Sequence, residues 1–421
     1  MERLTASTIW PFVTVCVLCW ILFTLIRPFV SPLRHVPGPL LARYTKLWLF
    51  KETYRGTFPK TNAELHKKHG PVVRIAPNEY SIDDPAAVKL IYGSSKGFVK
   101  MLQVGERFGF LDSGDDVQGV MASLSDYLDY CARVGIFSEW HKTLYNRLKQ
   151  SKKLTGVLNV RKFAVTQLQA KYGKLESDEE KADPTKPTDF ITKFLRIHNQ
   201  EPSKITKDDI STVCVMNVGA GSDTTSIAFT AALFYLVKYP SVLGRLLEEI
   251  KVFEARGLIS DPISFSEAQK MPYAQAVIKE ALRMHPATGL ILGRVVPPAG
   301  ATLAGQYFPP GTIVGINSWV AHANPDVFGP DVDIFRPERW LEEEEVVKKR
   351  DVYFMAFGQG SRTCIGKNIS IMELSKVLPQ VIRHFNFVPD TSSGKPECKT
   401  ENVWFVKIRG FYCKVRKRAA V

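Results

Sequence analysis

The clearest hydrophobic pattern in the chain is an uninterrupted apolar run at residues 9–26, which carries no charged side chain. A helix of this length nearly crosses the hydrocarbon core of a bilayer, and Trp10 and Trp20 suit the membrane interfaces. A cleaved signal peptide is the alternative, but Arg27-Pro28 follows where the small residues of a cleavage site would stand. The run therefore predicts an uncleaved anchor. The body is expected on the cytosolic side, because the basic residues after the run outnumber Arg3 before it, namely Arg27, Arg34, Arg43 and Lys46.

Downstream, most of the pattern has the spacing of amphipathic helices, and a smaller part has that of strands. The proline-rich hinge Pro37-Gly38-Pro39 precedes a predicted helix at 61–69, a strand pair at 71–75 and 79–82, and a helix at 85–93. Residues 115–172 show helical spacing, residues 174–188 are predicted to form an exposed loop, and a long helix is predicted to open at Asp208. The expected fold is mainly α with a small β-rich lobe, behind one N-terminal transmembrane helix.

Composition narrows the class of protein without giving a function. With 421 residues, 45% hydrophobic and 23% charged, the chain can bury a large core and, by length alone, form two or three domains. Its seven cysteines are sparse and odd in number, which indicates a reducing compartment. A net charge of +14 suits nucleic acid, an anionic membrane or an acidic partner protein. No stretch resembles a nucleic-acid module, so the membrane and the acidic partner are retained.

One cysteine stands in a setting that favours its thiolate. Cys364 lies in the glycine-rich stretch Phe357-Gly-Gln-Gly-Ser-Arg-Thr-Cys-Ile-Gly366, with Arg362 two residues before it. Glycines let backbone N–H groups approach a sulfur closely, and a nearby cation favours S⁻ over SH. A buried cysteine beside a turn is the plainer interpretation of a lone cysteine. A phosphate-binding loop is set aside, because Gly366-Lys367-Asn368 lacks the Ser or Thr that such a loop needs.

The whole pattern F-G-x-G-x-R-x-C-x-G resembles the haem-binding signature of the cytochrome P-450 superfamily. The resemblance implies a haem b whose iron takes Cys364 as its axial ligand. It also implies that four residues shape the loop around this ligand, namely Phe357, Gly358, Arg362 and Gly366. Arg294 and Arg362 are then expected to hold haem propionates, because a guanidinium offers two parallel hydrogen bonds to a carboxylate.

A second motif, Ala220-Gly221-Ser222-Asp223-Thr224-Thr225, falls inside the long apolar helix, where glycine and consecutive hydroxyl residues are unfavourable. A packing notch against a neighbouring helix would explain Gly221 but not the adjacent acid and alcohol. The motif resembles the oxygen-binding groove of the family. By that resemblance, Ala220 and Gly221 make room beside the haem, and Asp223 and Thr224 deliver protons.

Glu280-Ala-Leu-Arg283 places opposite charges three residues apart on one helix face, where they can pair. A surface pair of this kind is common and contributes little. Together with Arg339, from Phe335-Arg-Pro-Glu-Arg-Trp340, the pair resembles the Glu-Arg-Arg triad of the family. The resemblance implies a structural network that fixes the loop before the cysteine, and a substrate pocket lined by residues 287–292.

The chain departs from the family pattern near residues 100–104. None of its seven tryptophans has Arg at the fourth position after it, so the W-x-x-x-R helix that holds a haem propionate in the family is missing from the sequence. Gly97-Phe-Val-Lys100 passes directly to Gly105-Glu-Arg-Phe-Gly109, which resembles a point several helices later. The sequence therefore predicts an internal deletion, produced by exon skipping or by a faulty gene model.

The resemblance implies the cytochrome P-450 fold, mainly α with a small β-rich lobe and internally truncated. It also implies an anchor and hinge at residues 1–36 and a haem domain at 37–421. The implied activity is a haem-thiolate monooxygenase that oxidises a small hydrophobic molecule with O2. Its electrons would come from NADPH through NADPH–cytochrome P-450 reductase, at the endoplasmic reticulum membrane. The chain is similar to fungal microsomal members that make secondary metabolites. Two alternatives stay open: a haem-poor, catalytically impaired truncated product, and a haem-thiolate isomerase or dehydratase, against which the Asp223-Thr224 pair argues.

Overall fold

The computed structural model describes residues 6–92, 116–150, 159, 161–166, 168–169, 190–390 and 398–418. Its amino-terminal part consists of α1 (Ala6–Val30), α2 (Leu47–Tyr54), α3 (Phe58–His69), β1 (Val72–Ala76), β2 (Glu79–Ile82) and α4 (Pro85–Tyr92), with a 3-10 turn at Leu40–Arg43. The predicted helices and strand pair of this part are present. Helix α3 begins earlier than predicted, because its first turn tolerates Pro59. The deletion predicted near 100–104 lies outside the described residues.

The middle of the chain is helical. It contains α5 (Val120–Val134), α6 (His141–Gln150), α7 (Phe190–Gln200), α8 (Lys207–Lys238) and α9 (Pro240–Ala255), with 3-10 turns at Val117–Gly119 and Gly135–Trp140. The helical spacing predicted over 115–172 is broken at the second turn, where Phe137 has φ −113° and ψ 55°. Helix α8 begins one residue before Asp208, because Thr206 and Asp209 cap each other reciprocally. The loop predicted at 174–188 lies outside the described residues.

The carboxy-terminal part alternates short strands and helices. In order, these are α10 (Phe265–Ala268), α11 (Pro272–Met284), β3 (Arg294–Val295), β4 (Ala301–Leu303), β5 (Gln306–Phe308), β6 (Ile313–Gly315), α12 (Ser318–Ala321), α13 (Pro325–Phe328), α14 (Glu344–Tyr353), α15 (Lys367–His384), β7 (Phe385–Pro389), β8 (Lys399–Asn402), β9 (Val406–Arg409) and β10 (Cys413–Lys417). Two further 3-10 turns lie at Pro337–Trp340 and Gly360–Arg362.

The strands form one mixed sheet and three two-stranded sheets. The mixed sheet has the order β1-β2-β6-β3, in which only β2 and β6 are parallel. Strand β1 is buried along its whole length. The other sheets pair β4 with β5, β7 with β10 and β8 with β9, all antiparallel. The described residues are thus mainly helical with small sheets, as the sequence pattern predicts.

Of the four buried clusters among the described residues, the two largest hold most of these elements together. One joins α8, α9, α11 and α15 through apolar side chains such as Ala232, Leu246, Val277 and Leu378. The other surrounds the mixed sheet and includes Leu33 and Val36, which follow α1. Because the first cluster packs α8 against α15, it fixes the distance between the two predicted site motifs.

No single helix among the described residues is long and apolar enough to cross a membrane. Helices α8 and α9 have sufficient length and apolar composition when taken together, but they bend by 107°. Their buried side chains include Ala232, Leu236 and Leu246, which belong to the protein core.

Candidate active site

The loop that carries Cys364 is shaped by two left-handed glycines and a few backbone hydrogen bonds. Gly358 and Gly360 have φ of 68° and 67°, which other residues rarely adopt. The Gly358 N–H donates to the Met355 carbonyl at 3.0 Å, and the Cys364 N–H donates to the Phe357 carbonyl at 2.7 Å. The loop therefore closes on itself, and Cys364 is left exposed.

Helix α15 begins directly after this cysteine. Gly366 caps the helix, which extends for 18 residues, and the Lys367 N–H donates to the Cys364 carbonyl at 3.2 Å. The positive end of a helix dipole favours an anion within the first turn. The side chain of Arg362 is exposed in the same loop. The sequence-predicted residues Phe357, Gly358, Arg362, Cys364 and Gly366 thus lie on one short loop that leads into α15.

The strand that carries Arg294 lies beside this loop. A Cβ added at Gly358 would contact Leu292 Cδ1 at 3.7 Å, so Leu292 borders the cysteine loop. Arg294 follows on β3, where its Nη1 donates to the Gly293 carbonyl at 2.8 Å. Its guanidinium is half-buried. The structure therefore places Leu292, two residues before Arg294, against the cysteine loop.

Glu280 lies at the centre of a buried ion-pair network. Arg283 donates from Nε and Nη2 to its two carboxylate oxygens at 2.9 and 2.8 Å, and Arg339 Nε donates to Oε1 at 2.9 Å. The Trp340 indole and the Arg336 N–H donate to the same carboxylate at 2.9 and 3.1 Å. The side chains of Glu280, Arg283 and Arg339 are at most 2% exposed. Two cations and five hydrogen bonds thus offset the desolvation of one carboxylate.

The two arginines extend the network to neighbouring backbone. Arg283 donates to the carbonyls of His322 and Val332, both at 2.9 Å. Arg339 donates to the Phe328 carbonyl, to Asp331 Oδ1 at 3.2 Å and to the Asp331 carbonyl at 3.1 Å. The predicted triad is therefore assembled. Trp340 and Asp331, which the sequence reasoning did not assign to it, are also members.

The second motif lies on one unbroken helix, α8. Thr224 Oγ1 donates back to the Ala220 carbonyl at 2.8 Å, the bond to the preceding turn that its position predicts. A Cβ added at Gly221 would meet no described atom within 4 Å, whereas one added at Gly219 would lie 3.1 Å from Leu124 Cδ1. The packing notch is therefore at Gly219, and Gly221 borders open space.

Asp223 pairs with a residue that the sequence reasoning did not single out. Lys407 Nζ, on β9, lies 2.7 Å from Asp223 Oδ2, and both side chains are 24% exposed. The next residue but one, Thr225, donates from Oγ1 to Ser370 Oγ at 3.2 Å and so joins α8 to α15. Thr225 thus joins the motif to α15, whereas Asp223 contacts the β8–β9 strand pair.

A cleft lies next to Lys407. It is lined by apolar and aromatic side chains with two cations, namely Ser125, Leu128, Val403, Trp404, Phe405, Lys407 and Arg409. No pattern in the sequence points to these residues, because the strand pair β8–β9 is short and carries no motif. Only its packing against α8 brings it to Asp223.

Comparison with known proteins shows the family of the chain. The family model described as Cytochrome P450 matches residues 98–415. The chain belongs to the cytochrome P450 family. Cytochrome P450 proteins are monooxygenases, so this chain is an oxidoreductase by family, and the family implies a haem and the use of O2.

Several fungal cytochromes P450 are similar to it. A pisatin demethylase of Fusarium vanettenii is 31% identical over 93% of this chain and 89% of the relative. The cytochrome P450 monooxygenase cicH of Emericella nidulans is 28% identical over 92% of this chain and 95% of the relative. These alignments run over 476 and 483 positions, more than the 421 residues of this chain. Both therefore contain positions at which this chain has no residue.

Proposed function

We propose that this chain is a haem-thiolate monooxygenase that hydroxylates or oxidises a small hydrophobic molecule in secondary metabolism. The observation that carries the proposal is the exposed Cys364 on a glycine-shaped loop at the amino end of α15. A sulfur that is exposed and free of a disulfide in this place is accessible to a metal ion. The similarity to a pisatin demethylase and to other fungal cytochrome P450 monooxygenases supports the substrate class.

The residues present fit a haem. Cys364 would bind the iron, the backbone at Phe357, Gly358 and Gly366 would surround the sulfur, and Arg294 and Arg362 would pair with propionates. Two observations support the fit: Gly358 has the left-handed conformation that keeps the loop tight, and Gly221 borders open space beside α8. When bound, the haem supplies the activation of O2 that protein side chains cannot supply.

In this proposal, Asp223 and Thr224 move protons. The Thr224 hydroxyl donates its one proton to the Ala220 carbonyl, so its lone pairs can accept a hydrogen bond, and it would have to leave that carbonyl to donate elsewhere. The Asp223 carboxylate is partly exposed, so water can reach it. Lys407 competes for that carboxylate, so this pair has to loosen when Asp223 serves as a donor.

Electrons and location follow from the same proposal. NADPH–cytochrome P450 reductase would supply the electrons, attracted by the positive charge of a chain with net charge +14. Helix α1 would anchor the protein in the endoplasmic reticulum membrane, with the body in the cytosol. Buried Leu33 and Val36 support a fixed link between that helix and the body, because they pack into the cluster around the mixed sheet.

A catalytically impaired truncated product is the second candidate. The alignments with the relatives are longer than this chain, and no tryptophan has an arginine four positions after it. Both observations fit a missing internal block near residues 100–104 that would have supplied another propionate partner. A chain without that block would hold haem less tightly.

A reduced, carbon monoxide-bound difference spectrum of membranes that contain the full chain tests the two candidates. A red-shifted Soret band that disappears in Cys364→Ala is the result expected for a haem-thiolate enzyme. If the unmutated chain is present in the membranes but gives no haem signal, the monooxygenase proposal is overturned. The catalytically impaired truncated product then becomes the remaining candidate. Sequencing the transcript across residues 100–104 would then show whether the block was lost by splicing.

A further inference from the structure

His322 joins the Glu280 network to the chain segment that precedes Cys364. It follows α12 directly and is 2% exposed. Its Nδ1 lies 2.9 Å from the Arg283 carbonyl, and the Met355 N–H donates to its Nε2 at 2.8 Å. A carbonyl only accepts and an amide N–H only donates, so Nδ1 carries the proton and Nε2 carries the lone pair. The two bonds together specify one neutral tautomer.

The surroundings of the ring hold this tautomer in place. The imidazole stacks on Phe354, with centroids 5.2 Å apart and planes 8° apart, and meets the edge of Phe328 at 5.9 Å. Burial lowers the pKa of His322 to about 3, so the ring is neutral near physiological pH. The backbone carbonyl of the same residue accepts from Arg283 Nη1 at 2.9 Å. Backbone and side chain of His322 are therefore both fixed by the one arginine.

From Met355, the hydrogen bonds continue into the cysteine loop. The Met355 carbonyl accepts from Ser318 Oγ at 3.2 Å and from the Gly358 N–H at 3.0 Å. The next contact in the loop is the 2.7 Å bond from the Cys364 N–H to the Phe357 carbonyl. The path from Glu280 to the cysteine loop thus passes through Arg283, His322 and Met355.

We propose that His322 is a positioning residue for Cys364, which transfers the fixed geometry of the Glu280 network to the cysteine loop through the Met355 amide. This rests on the proposed haem-thiolate function only for its consequence, the orientation of Sγ as a metal ligand. The underlying claim concerns the loop of the protein alone. It predicts that the cysteine loop opens more often in a variant without the His322 side chain than in the wild-type protein.

His285 offers a matched control in the same chain. It is 1% exposed, and its Nε2 lies 2.8 Å from the Val406 carbonyl. Burial lowers the pKa of His285 to about 4, and its ring meets the edge of Trp319 at 5.2 Å. The two histidines are therefore similar in burial and ionisation. Only His322 bonds to the segment before Cys364, whereas His285 bonds to β9.

The test compares His322→Phe and His322→Gln with His285→Phe and His285→Gln in the full chain. Phenylalanine keeps the ring contacts and removes both hydrogen bonds, and the glutamine amide can still accept from the Met355 N–H. Hydrogen–deuterium exchange over residues 355–366 is measured first, because it needs no cofactor. We expect His322→Phe to raise exchange there roughly tenfold or more, with His322→Gln in between and both His285 variants at the wild-type rate.

The carbon monoxide-bound spectrum is the second readout. We expect His322→Phe to lower the fraction of thiolate-type band, His322→Gln to restore part of it, and both His285 variants to retain it. Equal exchange over residues 355–366 in His322→Phe and His285→Phe would overturn the proposal, as would a wild-type rate in His322→Phe. If His322→Phe does not fold, a wild-type rate and spectrum in His322→Gln beside a change in His285→Gln would overturn it. If wild-type protein gives no thiolate band, the function proposal fails and the exchange measurement alone decides.

Discussion

The Glu280 network and the Asp223–Lys407 pair both use opposite charges to join distant parts of the chain, but their surroundings are opposite. Glu280 is 0% exposed and accepts hydrogen bonds from two arginines, an indole and a backbone amide. Asp223 and Lys407 are each 24% exposed, and their 2.7 Å contact joins a helix to a short strand pair. One carboxylate is enclosed by donors, and the other is within reach of water.

This difference in burial suits the two carboxylates to different roles. A buried carboxylate cannot leave its partners without a large penalty, so the Glu280 network keeps one geometry and suits a structural task. A partly exposed carboxylate can exchange its partner for water at small cost, which suits a group that has to take up and release protons. The same protein thus has a buried ion-pair network around Glu280 and a partly solvated ion pair that joins α8 to β9.

Removing the charge of Glu280 should have the largest effect. Glu280→Gln keeps the shape of the side chain but leaves two buried arginines without their anion, and it should lower the free energy of unfolding by about 3–5 kcal/mol. Urea denaturation of the purified chain measures this. Glu345→Gln, at an exposed position of α14, is the control and should stay within about 0.5 kcal/mol of wild type. A loss below about 1 kcal/mol in Glu280→Gln would contradict the structural role of the network.

The second largest effect should come from acid, which should lower the free energy of unfolding through the buried histidines His322 and His285. Burial lowers the pKa of His322 to about 3 and that of His285 to about 4, both below the value of about 6.5 in an unfolded chain. The unfolded chain therefore binds more protons below pH ~6.5, and each histidine lowers the free energy of unfolding by up to about 1.4 kcal/mol per pH unit as the pH falls toward its folded pKa. The contribution of the two neutral, buried histidines to the free energy of unfolding is fully present above pH ~6.5.

Urea midpoints of wild type, His322→Gln and His285→Gln at pH 7, 6 and 5 measure this dependence. Carboxylates titrate in all three proteins, so the difference between wild type and each variant isolates the histidine. The wild-type advantage at pH 7 should shrink as the pH falls. Parallel pH profiles would show that the two rings are not buried as neutral groups.

How much of this could be predicted from sequence differs between the two regions. The Glu280–Arg283 pair follows from helix spacing, and the tight loop at Gly358 follows from the glycine pattern. Arg339, 59 residues away from Glu280, could be assigned only by resemblance to a family. The contacts of His322 with Met355 and of Asp223 with Lys407 depend on tertiary packing and leave no local pattern.

The same limit applies to the fold. Strand β2 is found where it is predicted, whereas α3 begins three residues before its predicted start. The break between α5 and α6 was missed, because Phe137 departs from helical geometry without a proline to signal it. Local sequence thus specifies elements and caps, whereas the partners of isolated polar residues are decided when the elements pack.

The Asp223–Lys407 pair should contribute far less than the Glu280 network. A double-mutant cycle with Asp223→Asn and Lys407→Met should give a coupling of about 0.5–1 kcal/mol, because both side chains are partly solvated. The coupling should fall as salt rises, since exposed charges are screened. Urea denaturation at low and at high salt measures it. A salt-independent coupling above about 2 kcal/mol would mean that the pair is as fixed as the buried network.

Replacing the Thr224 hydroxyl should have the smallest effect on stability. Thr224→Val removes a bond back to the preceding turn, which a helix does not need, and the free energy of unfolding should change by no more than about 0.5 kcal/mol. Thr230 makes the same bond, to the Ser226 carbonyl at 2.8 Å on the same helix, so Thr230→Val is its matched control. If Thr224 passes protons, Thr224→Val alone should lower the amount of product formed per O2 consumed. Equal losses in both variants would assign the effect to the shape of α8. If neither variant loses product, the Thr224 hydroxyl is not needed for proton delivery. That task would then fall to Asp223.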